Sequence, residues 1–302
     1  MTQSKAAGTV QRSEPQSVWS LGGPLLEGPA WVERDAALWF VDIKSRRIHR
    51  FDPAGGDKRS WDAPGQVGFV LPIAGGGFVA GLQEGLFRFD ERDGSFTELA
   101  RPEPDQPGNR LNDATVDPNG RLWFGSMDDG EIAKSGAIYR LAADGSCVPS
   151  SPLCSITNGP AVSPDGRTLY HVDTLHGIIH ACALEEDGRL TGRREFARIP
   201  STEGYPDGPT VDAEGCVWVG LYAGWGAKRF APSGELLETV CFPVSAVTKL
   251  AFGGPNLTTV YATTANKHLK PEEREREPQA GDLFAFEVSV PGLPSAEISV
   301  GV

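Results

Sequence analysis

Leu122-Trp123-Phe124-Gly125-Ser126 is a short run of strand-forming residues with a large aromatic near its centre, and the chain repeats its pattern. The other copies are Leu38-Trp39-Phe40-Val41-Asp42, Gly77-Phe78-Val79-Ala80-Gly81, Leu169-Tyr170-His171-Val172-Asp173, Val217-Trp218-Val219-Gly220-Leu221 and Val260-Tyr261-Ala262-Thr263-Thr264. Between the central residues 39, 78, 123, 170, 218 and 261 the steps are 39, 45, 47, 48 and 43 residues, the length of one four-stranded propeller blade.

Turn chemistry brackets these runs. Asp117-Pro118-Asn119-Gly120, Ser163-Pro164-Asp165-Gly166 and Asp212-Ala213-Glu214-Gly215 precede three of them, with Gly where the backbone needs positive φ and Pro where φ is preset. Alternating segments follow, such as Arg47-Ile48-His49-Arg50-Phe51-Asp52 and Ala137-Ile138-Tyr139-Arg140-Leu141. Six such units predict an all-β fold, a six-bladed β-propeller with four-stranded antiparallel blades around a central channel, because ring closure removes unpaired sheet edges. The segment around Ser17 to Leu21 is expected to pair with the last repeat and latch the ring. Residues 1–15 are assigned to a flexible N-terminal tail and 16–302 to the catalytic propeller domain, with the charged run Leu269 to Gln279 as a solvated insertion in the last blade.

Composition agrees with one β domain of 302 residues, since 37 Gly and 24 Pro imply many turns and few long helices. A net charge of -12 argues against a basic surface for nucleic acid or anionic membrane. The cysteines, Cys147, Cys154, Cys182, Cys216 and Cys241, are odd in number and scattered, without zinc-site spacing. The polar start of the chain carries no apolar leader, and no stretch is long enough to span a bilayer. A cytoplasmic protein is expected, with neither nucleic acid nor membrane as a partner.

Counting back from each aromatic landmark gives the residue that opens the innermost strand of its blade. Glu27 lies 12 before Trp39, Asn112 lies 11 before Trp123, Asn158 lies 12 before Tyr170, and Asp207 lies 11 before Trp218. Lys249 holds the matching place in the last repeat. If one channel end is ringed by these strand starts, two carboxylates and two amide oxygens converge there, a donor set suited to a hard divalent cation. The alternative is turn chemistry, because Gly-Pro follows Glu27, Asn158 and Asp207, and Asn and Asp tolerate turns. Glu27 fits that alternative poorly, having no special turn role.

Leu26-Glu27-Gly28-Pro29, Arg110-Leu111-Asn112-Asp113, Thr157-Asn158-Gly159-Pro160 and Tyr205-Pro206-Asp207-Gly208 together resemble the SMP-30/gluconolactonase/regucalcin family over the whole chain after the tail. Within it the chain most resembles bacterial sugar-acid lactonases acting on xylonolactone or arabinonolactone. The resemblance implies that Glu27, Asn158 and Asp207 bind one divalent metal ion, whether Ca²⁺, Zn²⁺, Mg²⁺, Mn²⁺ or Fe²⁺. It implies that Arg110 and Asn112 face a small-molecule sugar lactone, which moves Asn112 from ligand to substrate contact. An acidic substrate contact of regucalcin-like proteins aligns near Gly130, beside Asp128, Asp129 and Glu131, and is not carried over.

The expected reaction is metal-dependent hydrolysis of an aldonolactone to the aldonic acid, with Asp207 as metal ligand and general base. Arg110 would hold lactone hydroxyls or developing charge, and Asn112 would orient the sugar. Asp173 is a candidate carboxylate beneath the metal or a simple strand-end residue. No Gly-x-Ser-x-Gly elbow supports serine hydrolase chemistry. Two rivals are a non-catalytic, metal-binding regulatory protein of the regucalcin type and an arylesterase-like or strictosidine-synthase-like propeller.

Overall fold

The structure, a computed structural model, describes residues 12–302. Among the described residues it is built almost wholly of strands, with one short α-helix at Pro271–Arg274 and single 3-10 turns at Glu33–Asp35 and Ser201–Glu203. Each aromatic landmark lies in the second strand of an antiparallel sheet. Sheet A joins Leu26–Val32, Ala37–Asp42, Arg47–Phe51 and Lys58–Asp62 in that order. Sheet B joins Val67–Pro72, Phe78–Leu82, Leu86–Asp90 and Ser95–Ala100, and sheet C joins Asn109–Val116, Leu122–Asp128, Ile138–Leu141 and Cys147–Pro149. Sheet D joins Thr157–Val162, Thr168–Asp173, Ile178–Leu184 and Leu190–Arg198.

The remaining strands make an eight-stranded sheet whose halves meet at a single parallel bridge, Gly208 with Lys249. Half E contains Tyr205–Val211, Val217–Tyr222, Gly226–Phe230 and Leu236–Cys241. Half F contains Val247–Gly253, Thr259–Thr264 and Leu283–Glu287, and its outermost strand is Gln16–Trp19 from the other end of the chain. The expected latch therefore forms, with Ser17 opposite Phe284. Of the expected tail, residues 1–11 lie outside the described residues, and Ser13 N donates to Glu287 O at 2.9 Å.

The first strands of A, B, C, D, E and F pack neighbour against neighbour, and that of F packs against that of A, so the cycle closes. Successive sheets bury apolar faces between them. Trp39 of A meets Phe78 of B at 4.2 Å between ring centroids, and Trp218 of E meets Phe252 of F at 5.9 Å. Burying side chains of this size stabilises by roughly 3 kcal/mol each.

The turn aspartates do more than turn. Asp117 accepts Trp123 Nε1 at 2.9 Å and Arg121 Nε at 2.6 Å, and Asp35 accepts Trp39 Nε1 at 2.9 Å. Asp212 accepts Trp218 Nε1 at 2.9 Å and Arg229 Nε at 2.8 Å, the guanidinium being wholly buried. Each aspartate thus satisfies an indole N–H that has been carried into an apolar layer.

The charged run Leu269 to Gln279 lies between the second and third strands of half F and is mostly exposed, as expected of an insertion, but it is pinned at two points. Leu269 and Glu277 are buried, and the Glu277 carboxylate accepts Ser245 N at 2.6 Å. A segment rich in Glu and Arg is anchored here because two of its members satisfy an apolar contact and a backbone donor. Local composition does not reveal either.

Asp212→Ala leaves Trp218 and Arg229 without their shared acceptor, and breaking a buried ion pair from one side costs about 3–5 kcal/mol. Urea denaturation is expected to show a lower midpoint at unchanged slope.

Candidate active site at the channel mouth

Every innermost strand is irregular where it passes the channel mouth. Register against the second strand shifts between Glu27 and Ala30, Val67 and Phe69, Leu111 and Ala114, Asn158 and Ala161, Pro206 and Pro209, and Val247 and Lys249. A bulge bends the strand and re-aims a side chain, which suits strands that must point functional groups along the channel. The Gly-Pro motifs are these bulges: Pro removes a ladder donor, and Gly28 and Gly159 take φ of 55° and 78°. Turn-like chemistry and convergence are thus one device. Space is also tight, since a Cβ on Gly68 would lie 2.4 Å from Asn112 O.

Three of the expected residues form one hydrogen-bonded chain. Arg110 Nη1 donates to Asn112 Oδ1 at 2.5 Å, and Asn112 Nδ2 donates to Asn158 Oδ1 at 3.0 Å and to Thr157 O at 2.7 Å. Asn158 Nδ2 donates to Thr174 Oγ1 at 2.9 Å. Thr174, which sequence reasoning missed, holds the amide in place, while Asp173 turns to His176 Nδ1 at 2.9 Å. These bonds leave one lone pair on Asn158 Oδ1 and one on Asn112 Oδ1.

Glu27 and Asp207 are buried with little compensation. Glu27 accepts only Gly28 N, at 3.0 Å, and Asp207 accepts no hydrogen bond among the described residues. Burial pushes the Glu27 carboxyl up to about 8, with the Asp113 charge adding to it. Burial likewise raises Asp207 well above the usual carboxylate range, and the nearby charges of Glu27 and Asp113 raise it further. Asp113, also missed, is buried and ion-paired with buried Lys249. Its other oxygen accepts Gly159 N at 2.8 Å.

A loop after the second strand of sheet C overhangs these groups. Asp129 accepts Arg110 Nε at 2.8 Å, Lys44 Nζ at 2.7 Å and Gln66 Nε2 at 3.0 Å. Partial burial favours the neutral acid, but the Lys44 and Gln66 hydrogen bonds and the Arg110 charge outweigh it and bring the carboxyl down to about 2. Glu131, at φ 61°, pairs with Lys267 of the segment after Thr259–Thr264. The loop whose role sequence left open therefore orients Arg110.

Among the described residues no three His, Cys, Asp or Glu side chains form a metal cluster. The implied set is instead two carboxylates and one amide oxygen. It fits a hard cation: the charges of the two buried carboxylates act on one another, and the buried lysine is committed to Asp113.

The SMP-30/gluconolactonase/LRE-like region matches residues 25–266. The chain belongs to this family. It is 34% identical to regucalcin of Xenopus laevis, over 85% of this chain and 89% of that one. It is 33% identical to 6-deoxy-6-sulfogluconolactonase of Pseudomonas putida, over 88% of this chain and 92% of the other. With L-arabinolactonase of Azospirillum brasilense the identity is 32%, over 90% and 91%. A crystal structure of regucalcin from Agrobacterium tumefaciens, described as a calcium-binding protein, superposes with a TM-score of 0.90 at 28% identity, covering 94% of this chain and 97% of that one. No described helix is long and apolar enough to cross a membrane.

The folded pKa of Glu27, about 8, lies above its ordinary 4.5, so in this interval the folded protein holds a proton that the unfolded chain has released. In protein stripped of divalent ions this contribution is fully present below the unfolded pKa and is lost as pH rises through the folded one. Thermal midpoints are expected to fall across that window, and Glu27→Gln to flatten the fall.

Proposed function

We propose that the chain is a six-bladed β-propeller hydrolase that opens a sugar-acid lactone, a pentonolactone such as xylonolactone or arabinonolactone, with one divalent cation held by Glu27, Asn158 and Asp207. The cyclic packing of the first strands supports six blades for the domain at 16–302, and Ser13, bonded to Glu287, is already tied to it. The observation that carries the reading is Asp207. This buried carboxylate has no donor of its own and faces the Glu27 charge, beside a hydrogen-bonded chain ending on a free lone pair of Asn158. Lactonases among the relatives support sugar lactones as the substrate class, and the arabinolactonase supports a five-carbon one.

A divalent ion held by Glu27, Asn158 and Asp207 would supply Lewis-acid polarisation of the lactone carbonyl. Asp207 takes a proton from the attacking water as the new C–O bond forms at the carbonyl carbon. When the ring C–O bond breaks, that proton passes to the leaving alkoxide, and the product is an aldonic acid. Arg110 is buried and held at Nε by Asp129 and at Nη1 by Asn112, so its remaining Nη2 is aimed without further ordering cost. It donates to lactone oxygens, and Asn112 accepts one sugar hydroxyl through its free lone pair. Scattered unpaired cysteines support a reducing, cytoplasmic setting.

A second reading, a regulatory metal-binding protein, is favoured by the calcium-binding description of the Agrobacterium tumefaciens structure. Proton release from aldonolactones separates the two, since a binding protein takes up metal without accelerating ring opening. Asp207→Ala is expected to lower kcat/KM by about 10²–10⁴-fold, the usual worth of a general base, and to weaken metal uptake. Chelation is expected to abolish turnover and single divalent ions to restore it. Near-normal activity and metal content in Asp207→Ala would falsify this assignment.

A further inference from the structure

Tyr222 ends the second strand of half E, and its ring lies toward the segment that follows Thr259–Thr264. The ring centroid is 4.9 Å from that of His268, and Lys267 Nζ stands 5.9 Å from the phenol ring. The Tyr222 hydroxyl is buried and has no hydrogen-bond partner, and His268 Nδ1 is in the same state. The other imidazole nitrogen, Nε2, is engaged with Ser245 Oγ at 2.9 Å. Two adjacent rings therefore each carry one unsatisfied buried polar atom.

Burial raises the phenol pKa, and the carboxylates that add to it are Asp207 in the channel and Glu131 in the overhanging loop. Tyr222 is paired across the ladder with Tyr205, two residues before Asp207 on the innermost strand, so it stands on the Asp207 side of the site, and its hydroxyl stays protonated as a donor at neutral pH. A phenylalanine would pack here without leaving a buried donor unmade, so the hydroxyl is a cost unless something accepts from it. The other described side-chain atoms without partners, on His49, Arg140, His171 and His180, belong to second and third strands of sheets A, C and D, away from the mouth. Tyr222 and His268 are the pair next to the innermost strand that carries Asp207.

We propose that Tyr222 is a further substrate-binding residue, whose Oη–H donates to an exocyclic hydroxyl of the lactone, with His268 Nδ1 completing a subsite that reads the polyol part of the substrate. The proposal rests on the sugar-lactone reading of the same site. A site built to hydrogen-bond a substrate hydroxyl penalises an analogue that lacks it, so this corner discriminates hydroxylated lactones from bare rings.

The test compares wild type with Tyr222→Phe in two measurements. Calorimetric binding of a five-carbon open-chain polyol needs no turnover and is expected to weaken about tenfold in the variant, the loss of one hydrogen bond. For a pentonolactone, kcat/KM is expected to fall by a similar factor through KM, while γ-butyrolactone, which has no hydroxyl for Tyr222 to hold, is turned over equally by both proteins. Divalent-cation affinity is expected to stay unchanged. Equal polyol binding by the two proteins, no polyol binding by wild type, or an equal loss on γ-butyrolactone overturns the proposal. If polyol binding weakens and neither protein opens a lactone, the Tyr222 assignment stands and the lactonase reading falls.

Discussion

The buried ion pair between Lys249 and Asp113 is the constraint on which the channel depends. Lys249 comes from half F and Asp113 from sheet C, and Asp113 also accepts Gly159 N of sheet D, so three sheets are tied inside the lumen. Either charge alone would be costly to bury, whereas together with backbone partners they are compensated. The pair also partitions the channel. Below it lies a cavity of about 300 Å³ walled by Pro29, Trp31, Val116, Pro160, Pro209 and Phe252, with Lys249 its only titratable lining residue. Above it stand Glu27 and Asp207. Because the lysine is spent on Asp113, it forms no ion pair with either of these upper carboxyl groups.

Around the mouth a continuous chain of polar contacts runs from Lys44 and Gln66 through Asp129, Arg110, Asn112 and Asn158 to Thr174. Its members come from sheets A, B, C and D or the loops beside them, so correct packing of the sheets and correct aiming of the site are one event. Asp129 stays ionised to about pH 2, which keeps Arg110 paired over the working range of any such enzyme. Arg110 is thereby held in one direction before a ligand arrives, which is how a site avoids paying ordering entropy on binding. The strand bulges serve the same end, turning side chains that would otherwise alternate between sheet faces toward the channel.

The strand pattern was legible because its causes are local. An aromatic-centred strand, a Gly or Pro turn and an alternating strand each depend on residues close in sequence, so the positions of the sheets and the latch by Gln16–Trp19 follow from the repeat. Glu27, Asn158 and Asp207 were legible for a related reason, since each stands before the same Gly-Pro bulge and repeat position stands in for spatial position. The run Leu269 to Gln279 was legible as a largely solvated insertion but its two anchors were not, because the burial of Leu269 and Glu277 comes from neighbours distant in the chain.

What the sequence by itself determined is therefore the set of sheets, their order and the residues at the strand starts, because short-range periodicity encodes them. Only the tertiary structure decided which groups act together. Asp113 finds Lys249 across 136 residues, Arg110 is oriented by Asp129 from the overhanging loop, and Thr174 rather than Asp173 holds Asn158. Tyr222 and His268 become a pair only where half E meets half F. Such partnerships depend on closure of the ring, which brings residues from different sheets within hydrogen-bond distance and removes the water that would otherwise satisfy them.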